Sequence, residues 1–249
     1  MTDKNRSSVD FKGEKERLLE KSKSPEMFDR IAPRYDMLNR LLSGRRDIAW
    51  RRSLAAFIKE LGDVSVLDVA TGTGDVLLTI FDKCKNVTHG TGLDPAVKML
   101  EIAQKKTKQK GLSDKIEYIC GDALKLPFED NIFDVVTIAF GIRNVTDVVL
   151  ALREMFRVLK TGGQVLILEF SLPSNGFLRW CYLKYFRYIL PILGSIISGD
   201  KKAYKYLNTT VETFPYGREF CSIMEKAGFE NVAAKPLTCG IATIYTGQS

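Results

Sequence analysis

Histidine is almost absent from this 249-residue chain, which contains a single one, His89. Its position before Gly90, inside a predicted strand, favours a structural role over a catalytic one. A Ser-His-Asp triad and a histidine-based metal site are therefore excluded.

Paired cysteines are also missing. The five cysteines are scattered along the chain, and no two of them form a CxxC motif. This usage is typical of a protein in a reducing compartment and argues against a cysteine metal site. We expect no bound metal, and we expect most of the cysteines to fill space in the core.

Long apolar runs are absent as well. No run approaches the ~20 residues of a membrane span, and the first ten residues lack the apolar core of a signal peptide. The composition, 45% hydrophobic and 27% charged, is ordinary for a soluble globular protein. We therefore predict a cytoplasmic protein whose length suffices for one large domain with a sizeable core.

Basic residues exceed acidic ones, and the excess is unevenly distributed. The net charge is +7, of which +5 lies between Gly176 and Tyr206. A second basic cluster, Lys105–Lys110, ends a predicted helix, where cations complement the helix dipole and are expected to stay solvated. Charge alone would permit a small-RNA methylase, but the larger cluster lies among aromatic residues. We therefore expect no nucleic-acid partner.

The glycine turn in Val66–Asp75, with the sequence VLDVATGTGD, is the most informative motif. A strand that breaks at Gly72 and Gly74 into a helix is how α/β proteins hold an extended ligand at the carboxyl edge of the sheet. A dinucleotide fingerprint needs a third glycine where this chain has Leu77, and Asp75 would repel a pyrophosphate at the helix N-terminus. A cationic nucleoside such as S-adenosylmethionine suits the turn better, with a nicotinamide oxidoreductase as the rival reading.

Strand-like and helix-like segments alternate from Val64 onward. Alternation of this kind predicts a parallel sheet with helices on both faces. The predicted strands are Val64–Val69, Val87–Leu93, Ile116–Cys120, Phe133–Ala139, Gln164–Phe170, Phe229–Pro236 and Gly240–Thr246. The predicted helices are Asp75–Lys83, Pro95–Lys110, Asp147–Lys160, Asp200–Leu207 and Tyr216–Lys226.

The flanking segments complete the predicted domain plan. Residues 1–23 are charged and predict a mobile arm or a frayed helix. Residues 24–60 predict N-terminal helices that start with Ser24 as the cap and Pro25 in the first turn. Residues 171–210 predict a helical insertion within a single domain that spans 24–249.

Polar groups follow the ends of three predicted strands. Asp94 is placed to accept hydrogen bonds from both ribose hydroxyls of a nucleoside, or else it caps the following helix. Asp122 with its small neighbour Ala123 fits an adenine amino group, or else a surface turn. Arg143 and Asn144, in FGIRN, are placed to touch the ligand or its reaction partner. The alternative is a surface turn in which Asn144 caps the next helix.

Together these residues resemble the class I S-adenosylmethionine-dependent methyltransferases and, more closely, the menaquinone and ubiquinone C-methyltransferases. The resemblance covers nearly all of residues 25–249. The cofactor motifs are generic, whereas YDxLN…S…W, FGIRNV and LEFS together are specific to the quinone group. The matching segments are MFDRIAPRYDMLNRLLSGRRDIAW, VLDVATGTGD, GLD, GDALKLPF, TIAFGIRNV, RVLKTGGQVLILEFSLP, AYKYL and FPYGREFCSIMEKAGF.

The resemblance implies a Rossmann-like α/β fold, with a mostly parallel seven-stranded sheet and an N-terminal helical cap. It implies S-adenosylmethionine as cofactor, contacted by Thr73, Asp94, Asp122 and Ala123 beside Gly72 of the glycine turn. It implies C-methylation of a reduced polyprenyl quinone precursor, either demethylmenaquinol or the benzoquinol of ubiquinone synthesis. The choice between these rings, and the tail length, stay open.

Three positions depart from the family pattern. Asp47 stands where the family usually has histidine, which leaves the role of that position open. Thr161 stands before the paired glycines, where proline is usual. Ala139 stands where some members have a serine that contacts the cofactor, so that contact is not expected here.

Methylation of a ring carbon needs an electron-rich ring, so we expect the substrate to be the quinol. We predict Arg143 and Asn144 as donors around the ring oxygen, with Arg143 stabilising charge because its pKa is too high for a base. Tyr35, from the helices expected to cover the site, is the third candidate. The general base stays unidentified.

The aromatic segment Gly176–Ile197 allows two interpretations. Arg179, Lys184 and Arg187 fall within roughly 140° of a helical wheel, which suits a peripheral helix at an anionic membrane. The alternative is a helix packed on the sheet or on a second copy in a homodimer. A cofactor-binding subunit that scaffolds a quinone-synthesis complex without catalysis is the remaining functional alternative.

Overall fold

The structure, a computed structural model, describes residues 18–58, 62–189 and 201–249. Strands and helices alternate through most of the chain, as the sequence predicts. The strands are β1 Val64–Val69, β2 Val87–Asp94, β3 Ile116–Cys120, β4 Phe133–Ala139, β5 Leu159–Phe170, β6 Glu230–Leu237 and β7 Ala242–Gln248. The helices are α1 Ser24–Leu42, α2 Arg46–Ala55, α3 Asp75–Lys83, α4 Val97–Gln109, α5 Val148–Val158, α6 Gly176–Lys184, α7 Lys201–Thr213 and α8 Arg218–Lys226.

The strands form one seven-stranded sheet in the order β3-β2-β1-β4-β5-β7-β6. Strands β1 to β5 pair in parallel, and β7 runs antiparallel to both of its neighbours. The direction of winding reverses between β1 and β4, and at such a switch point the carboxyl ends of the strands leave a crevice. The predicted mostly parallel α/β sheet is confirmed.

Helices cover both faces of the sheet. On one face, α5 and α8 bury Leu152 and Phe220, and on the other, α2 and α3 bury Leu54 and Leu77. Strands between two covered faces are nearly continuously apolar. This is why the run Val64–Val69 signals a buried strand so clearly in the sequence.

Most boundaries lie within two residues of the prediction, and three differences are larger or change the role of a residue. Strand β5 begins at Leu159, five residues before the predicted start at Gln164. The additional residues pair with β4 beyond an irregularity, and their polar character hides this part of the strand in the sequence. Helix α7 extends to Thr213. Ser24 lies in the first turn of α1, whose cap Lys23 makes no side-chain hydrogen bond, and residues 18–22 are already helical.

Parts of the predicted flanking segments lie outside the described residues. These parts are 1–17, 59–60, 190–197 and Asp200. Within the described part, 185–189 continue α6 as a short π-helix. None of the helices in the described ranges is long and apolar enough to span a bilayer.

Candidate active site

Two cavities meet beyond the carboxyl ends of β1 and β4. The first, which we call the strand-end cavity, has a volume of about 250 Å³ and is lined by the ends of β1, β2 and β4. The second, the helix-walled cavity, has a volume of about 490 Å³ and lies among α1, α2, α6 and α7. Phe28, Tyr35 and Phe140 line both cavities and therefore stand at their junction.

Four of the five predicted cofactor residues line the strand-end cavity: Gly72, Asp94, Asp122 and Ala123. Gly72 has a positive φ of 56°, and open space lies where a Cβ would point, so glycine both permits this turn and leaves room for a ligand. The parallel sheet brings these residues together from the ends of three strands.

Asp94 is held by the main chain on both of its oxygens. The N–H groups of Gly72 and Ala96 donate to Oδ2 and Oδ1, each at 2.8 Å. Burial raises the pKa of Asp94 to about 6, although these two hydrogen bonds favour the ionised form. The two interpretations of Asp94 therefore describe one side chain, which is anchored at the start of the next helical segment and lines the cavity.

Thr73 is the predicted cofactor residue that does not line the strand-end cavity. Its hydroxyl donates to Asp36 Oδ1 at 2.6 Å, and Lys106 Nζ lies 3.1 Å from the same hydroxyl oxygen. The side chain is thus occupied between α1 and α4. The contact of Thr73 with the cofactor stays a prediction.

Lys106 is not the solvated cation that the basic cluster predicts, so that prediction is wrong for this residue. Its ammonium bonds Asp36 Oδ2 at 2.9 Å and also bonds Asp75. Arg51 and Arg40 approach the same Asp75 carboxylate at 3.4 and 3.7 Å. These cations tie the N-terminal helices to the glycine turn.

Asp75 is therefore a neutralised acid and not a lone negative charge. Burial by itself would raise its pKa, but Arg51 and Lys106 outweigh burial and hold the pKa below its ordinary value. The sequence argument that Asp75 would repel a pyrophosphate loses its force, because the charge is balanced by neighbouring cations. The missing third glycine, Leu77, still stands against a dinucleotide site.

Arg143 is buried in a 3₁₀ turn at Ile142–Asn144, directly after β4. Its Nη1 donates to Glu169 Oε1 at 2.7 Å and to the Phe140 carbonyl at 2.6 Å. The guanidinium carbon lies 5.2 Å from the centre of the Phe170 ring. The surface-turn interpretation of FGIRN is wrong, since the turn is buried and Asp147, not Asn144, caps α5.

Asn144 and Tyr35 complete the predicted catalytic group at the junction. Asn144 lines the strand-end cavity and accepts a hydrogen bond from Tyr206 Oη at 3.1 Å. Burial raises the pKa of Tyr206 to about 12 and also raises the pKa of Tyr35. The structure thus brings Arg143, Asn144 and Tyr35 to one place between the two cavities.

Glu169, Tyr182 and Tyr206 are residues of this site that sequence reasoning missed. Glu169 is the penultimate residue of β5, the strand beside β4, and is almost fully buried. An acid near the end of an apolar stretch of strand is a signal that could have paired it with Arg143. The two tyrosines carry no such signal, because packing alone brings them to the cavity.

The helix-walled cavity is mostly apolar. The α1 residue Leu38 packs with Phe186 and Val211, and Phe170 closes the side toward the sheet. Asp47, the position where the family usually has histidine, also lines it. Its carboxylate accepts from Ser43 Oγ and Arg51 Nη1, each at 2.8 Å, so this side chain is fixed within a polar corner of the wall. Ala139 lines the strand-end cavity, and Thr161 is exposed.

Helix α6 and its π-helical continuation have two distinct faces. Tyr182 and Phe186 face the helix-walled cavity. Phe177 and Trp180 are 72% and 58% exposed and stack on each other, with the Lys184 ammonium 5.9 Å from the Trp180 ring centre. One face of this segment therefore packs inward and the other is exposed, while contact with a membrane or with a second copy stays a prediction.

Comparison with known proteins decides the family and the fold. The ubiE/COQ5 methyltransferase family matches residues 16–249. The chain belongs to this family. It is 45% identical over 233 residues to the ubiquinone/menaquinone biosynthesis C-methyltransferase UbiE of Geotalea daltonii, covering 93% of this chain and 99% of that protein. It is 44% identical to the demethylmenaquinone methyltransferase of Thermus thermophilus, covering 89% and 99%.

Solved structures agree on the fold of this ubiE/COQ5 family member. A possible histamine N-methyltransferase of Thermotoga maritima superposes with a TM-score of 0.63 at 21% identity, covering 90% of this chain and 98% of that one. The [4+2]-cyclase SpnF superposes with a TM-score of 0.68 at 20% identity, covering 92% and 96%. The Rossmann-like class I methyltransferase fold is confirmed. The similarity to a cyclase shows that this fold does not by itself determine the reaction.

The chain is an S-adenosylmethionine-dependent methyltransferase, and the strand-end cavity fits this cofactor. The lining includes the carboxylates of Asp94 and Asp122, whereas the one ammonium, Lys21, donates to the Val145 carbonyl at 2.9 Å. A cavity with this donor set suits a cationic ligand. No support appears for a nicotinamide oxidoreductase.

Proposed function

We propose that this protein transfers the methyl group of S-adenosylmethionine to a ring carbon of a reduced polyprenyl quinone precursor. The precursor is demethylmenaquinol, its benzoquinol counterpart, or both, in keeping with the names of the relatives. The observation that carries the proposal is the junction of the two cavities. There, a cavity suited to a cationic cofactor meets a larger apolar cavity with a buried guanidinium, Arg143, in its wall.

The strand-end cavity is the proposed cofactor site. Asp94 accepts hydrogen bonds from the ribose hydroxyls, Asp122 with Ala123 meets the adenine, and Gly72 lets the main chain approach closely. Thr73 contacts the cofactor as well. When bound, the cofactor supplies an electrophilic methyl group on sulfur at the junction.

The proposed chemistry balances without a metal or an external oxidant. The quinol loses a phenolic proton to water, and the adjacent ring carbon forms a bond to the methyl carbon as the sulfur–methyl bond breaks. The ring carbon then loses its hydrogen as a proton and the ring oxygen takes one up. The products are the methylated quinol, S-adenosylhomocysteine and one released proton.

The protein positions the reactants and stabilises the phenolate. Positioning two reactants contributes up to ~7–11 kcal/mol in favourable cases. Arg143 supplies a guanidinium that its ion pair with Glu169 fixes at the wall, and Asn144 is oriented by Tyr206. Tyr35 is a donor, since burial raises its pKa and keeps the phenol protonated.

The apolar tail of the substrate occupies the helix-walled cavity in this proposal. Helices α1 and α2 then form the cap of a single domain over 24–249, and the exposed face of α6 lies against an anionic membrane. Phe177 and Trp180 offer aromatic surface, and Lys184 beside them offers positive charge. This places a cytoplasmic enzyme peripherally at the inner face of the membrane. The proposal needs no second copy of the chain.

Flotation on liposomes tests the membrane contact. Replacing Phe177 and Trp180 by serine should abolish flotation with anionic vesicles, because both rings are solvent-exposed and available to lipid. Replacing Arg187 by glutamine is the matched control, since Arg187 is paired with Glu212 at 2.6 Å and should contribute little. Unchanged flotation of the serine variant would contradict the membrane contact.

A methylation assay of the purified chain tests the function. Reduced demethylmenaquinone and the reduced benzoquinone counterpart are supplied side by side with labelled S-adenosylmethionine. Transfer of label to either quinol, and not to the oxidised quinone, is the expected result. Cofactor binding without transfer to any quinol would favour the scaffold alternative.

A further inference from the structure

The helix-walled cavity has two buried polar atoms in its wall that lack a hydrogen-bond partner among the described residues. They are Arg143 Nε and Tyr182 Oη. Two further atoms of this kind, on Gln164 and Asn208, belong to residues that do not line the cavity. Each of these atoms exposes less than 1 Å² of its own surface, so it lies just behind the cavity wall and not in open contact with the cavity. Buried polar groups are normally paired, so an unpaired donor in the wall is a group that a ligand completes once the side chains that cover it shift.

Tyr182 differs in this respect from the other tyrosines around Arg143. Arg143 acts electrostatically on Tyr35, Tyr206 and Tyr182, and all four residues line the helix-walled cavity. Tyr35 is hydrogen-bonded to Asn39, and Tyr206 donates to Asn144. Within the described part of the chain, the Tyr182 hydroxyl alone among these three has no partner.

The surroundings of Tyr182 determine which role its hydroxyl can play. Burial raises the pKa of Tyr182, and the nearby Arg143 offsets this only in part, so the phenol is protonated at neutral pH. A protonated phenol can donate a hydrogen bond, as can the Arg143 Nε–H group. Two unpaired donors beside the Arg143–Glu169 ion pair, in the wall of a mostly apolar cavity, fit an oxygen that becomes negatively charged.

We propose that Tyr182 is a catalytic residue whose hydroxyl, together with Arg143 Nε–H, donates to the ring oxygen of the quinol that becomes the phenolate. The proposal rests on the proposed function, because it assigns a residue to that reaction. Tyr182 keeps its proton throughout and supplies only the hydrogen bond. The two donors therefore stabilise the same charge from two elements, the turn after β4 and helix α6.

The variant Tyr182→Phe removes only this hydroxyl. The value of kcat should fall about 10- to 100-fold, the range expected when a hydrogen bond to a charged group is lost. The pH at which kcat reaches half of its maximum should rise by about one unit. The reason is that a phenolate with one hydrogen-bond donor fewer forms only at higher pH. The affinity for S-adenosylmethionine should stay unchanged. A merely structural role would not move the pH profile.

The variant Tyr188→Phe is the matched control. It removes the same group from the same segment, but Tyr188 is 59% exposed and does not line the cavity. Its kcat and pH profile should match those of the unmodified protein. Equal losses in both variants, or an unchanged profile in folded Tyr182→Phe, would overturn the proposal.

Binding of a naphthol separates this proposal from the proposed function. A 1-naphthol with a short alkyl chain has one ring oxygen, and its ionisation can be followed by absorbance without methyl transfer. The bound naphthol should ionise at lower pH than in water, and Tyr182→Phe should remove about one unit of that shift. If quinols are not methylated but this shift is present, the function fails and the donor site stands. If methylation occurs and no shift depends on Tyr182, the donor site fails alone.

Discussion

The two cavities of this protein are built in different ways. The strand-end cavity collects residues that directly follow parallel strands, so short motifs such as the glycine turn and GLD mark it in the sequence. The helix-walled cavity collects side chains from α1, α2, α6 and α7 and from the turn after β4. Sheet topology brings the predicted cofactor residues of the first cavity together, whereas its α1 residues, such as Phe28 and Tyr35, and most of the second set depend on helix packing.

The cavities also differ in whether their polar groups already have hydrogen-bond partners. In the strand-end cavity, both oxygens of Asp94 already accept main-chain hydrogen bonds. In the helix-walled cavity, Arg143 and Tyr182 each retain a buried donor without a partner in the described part of the chain. In the proposed function, the cofactor site is preorganised, whereas the donors of the substrate site are paired only when the substrate is bound.

The largest expected effect comes from Arg143→Ala, which should lower kcat by about 10²- to 10³-fold, as loss of a group that stabilises developing charge does. The affinity for S-adenosylmethionine should change little, because Arg143 lines only the helix-walled cavity. Steady-state methylation and calorimetric cofactor titration measure the two quantities.

A second variant distinguishes loss of catalysis from loss of folding. Arg143→Ala leaves the Glu169 carboxylate buried without its 2.7 Å partner, and an unpaired buried charge is strongly destabilising. Adding Glu169→Gln removes that charge. Turnover equal to that of the unmodified enzyme in the folded double variant would end the assignment of Arg143 to charge stabilisation.

Asp94→Asn should have the opposite effect, on cofactor affinity and not on kcat. An amide cannot accept on both sides, so cofactor affinity should fall about 10- to 100-fold, while kcat at saturating cofactor changes little. Calorimetric titration of the cofactor measures the affinity. A loss confined to kcat would contradict the division of roles between the two cavities.

The pKa of Asp94 adds a pH dependence to the same measurement. Because burial raises that pKa from 3.8 to about 6, the carboxylate protonates and cofactor affinity should fall below about pH 6. The fold itself gains stability from Asp94 at low pH and loses that contribution as pH rises through about 6. Weaker binding in acid is therefore not unfolding, and Asp94→Asn should lack this pH dependence.

The smallest effect concerns the connection of the cap to the glycine turn. Lys106→Met should lower the free energy of unfolding by about 1–2 kcal/mol, less than for a fully buried pair, since Arg51 still faces Asp75. Denaturant unfolding measures it, with the exposed Lys108→Met as control. If both variants lose the same stability, the Lys106 network does not hold the cap.

Most of the fold follows from local patterns in the sequence. The apolar runs of β1 and β4 have covered faces on both sides, so they stand out as strands, and their alternation with helices implies the parallel sheet. Lys106 illustrates the limit. Its partner Asp36 lies 70 residues away, and nothing near Lys106 in the sequence distinguishes it from the solvated lysines beside it.

The sequence by itself determined the order of strands and helices, the membership of the quinone methyltransferase group and the place of the cofactor cavity. These depend on neighbours in the chain and on the rule that parallel strands end at one edge. Only the tertiary structure decided that Arg143 is buried against Glu169, that Lys106 neutralises Asp75, and that Tyr182 lines the helix-walled cavity. The reason is that hydrogen bonds and burial in that cavity join segments far apart in the chain, where only packing determines which side chains meet.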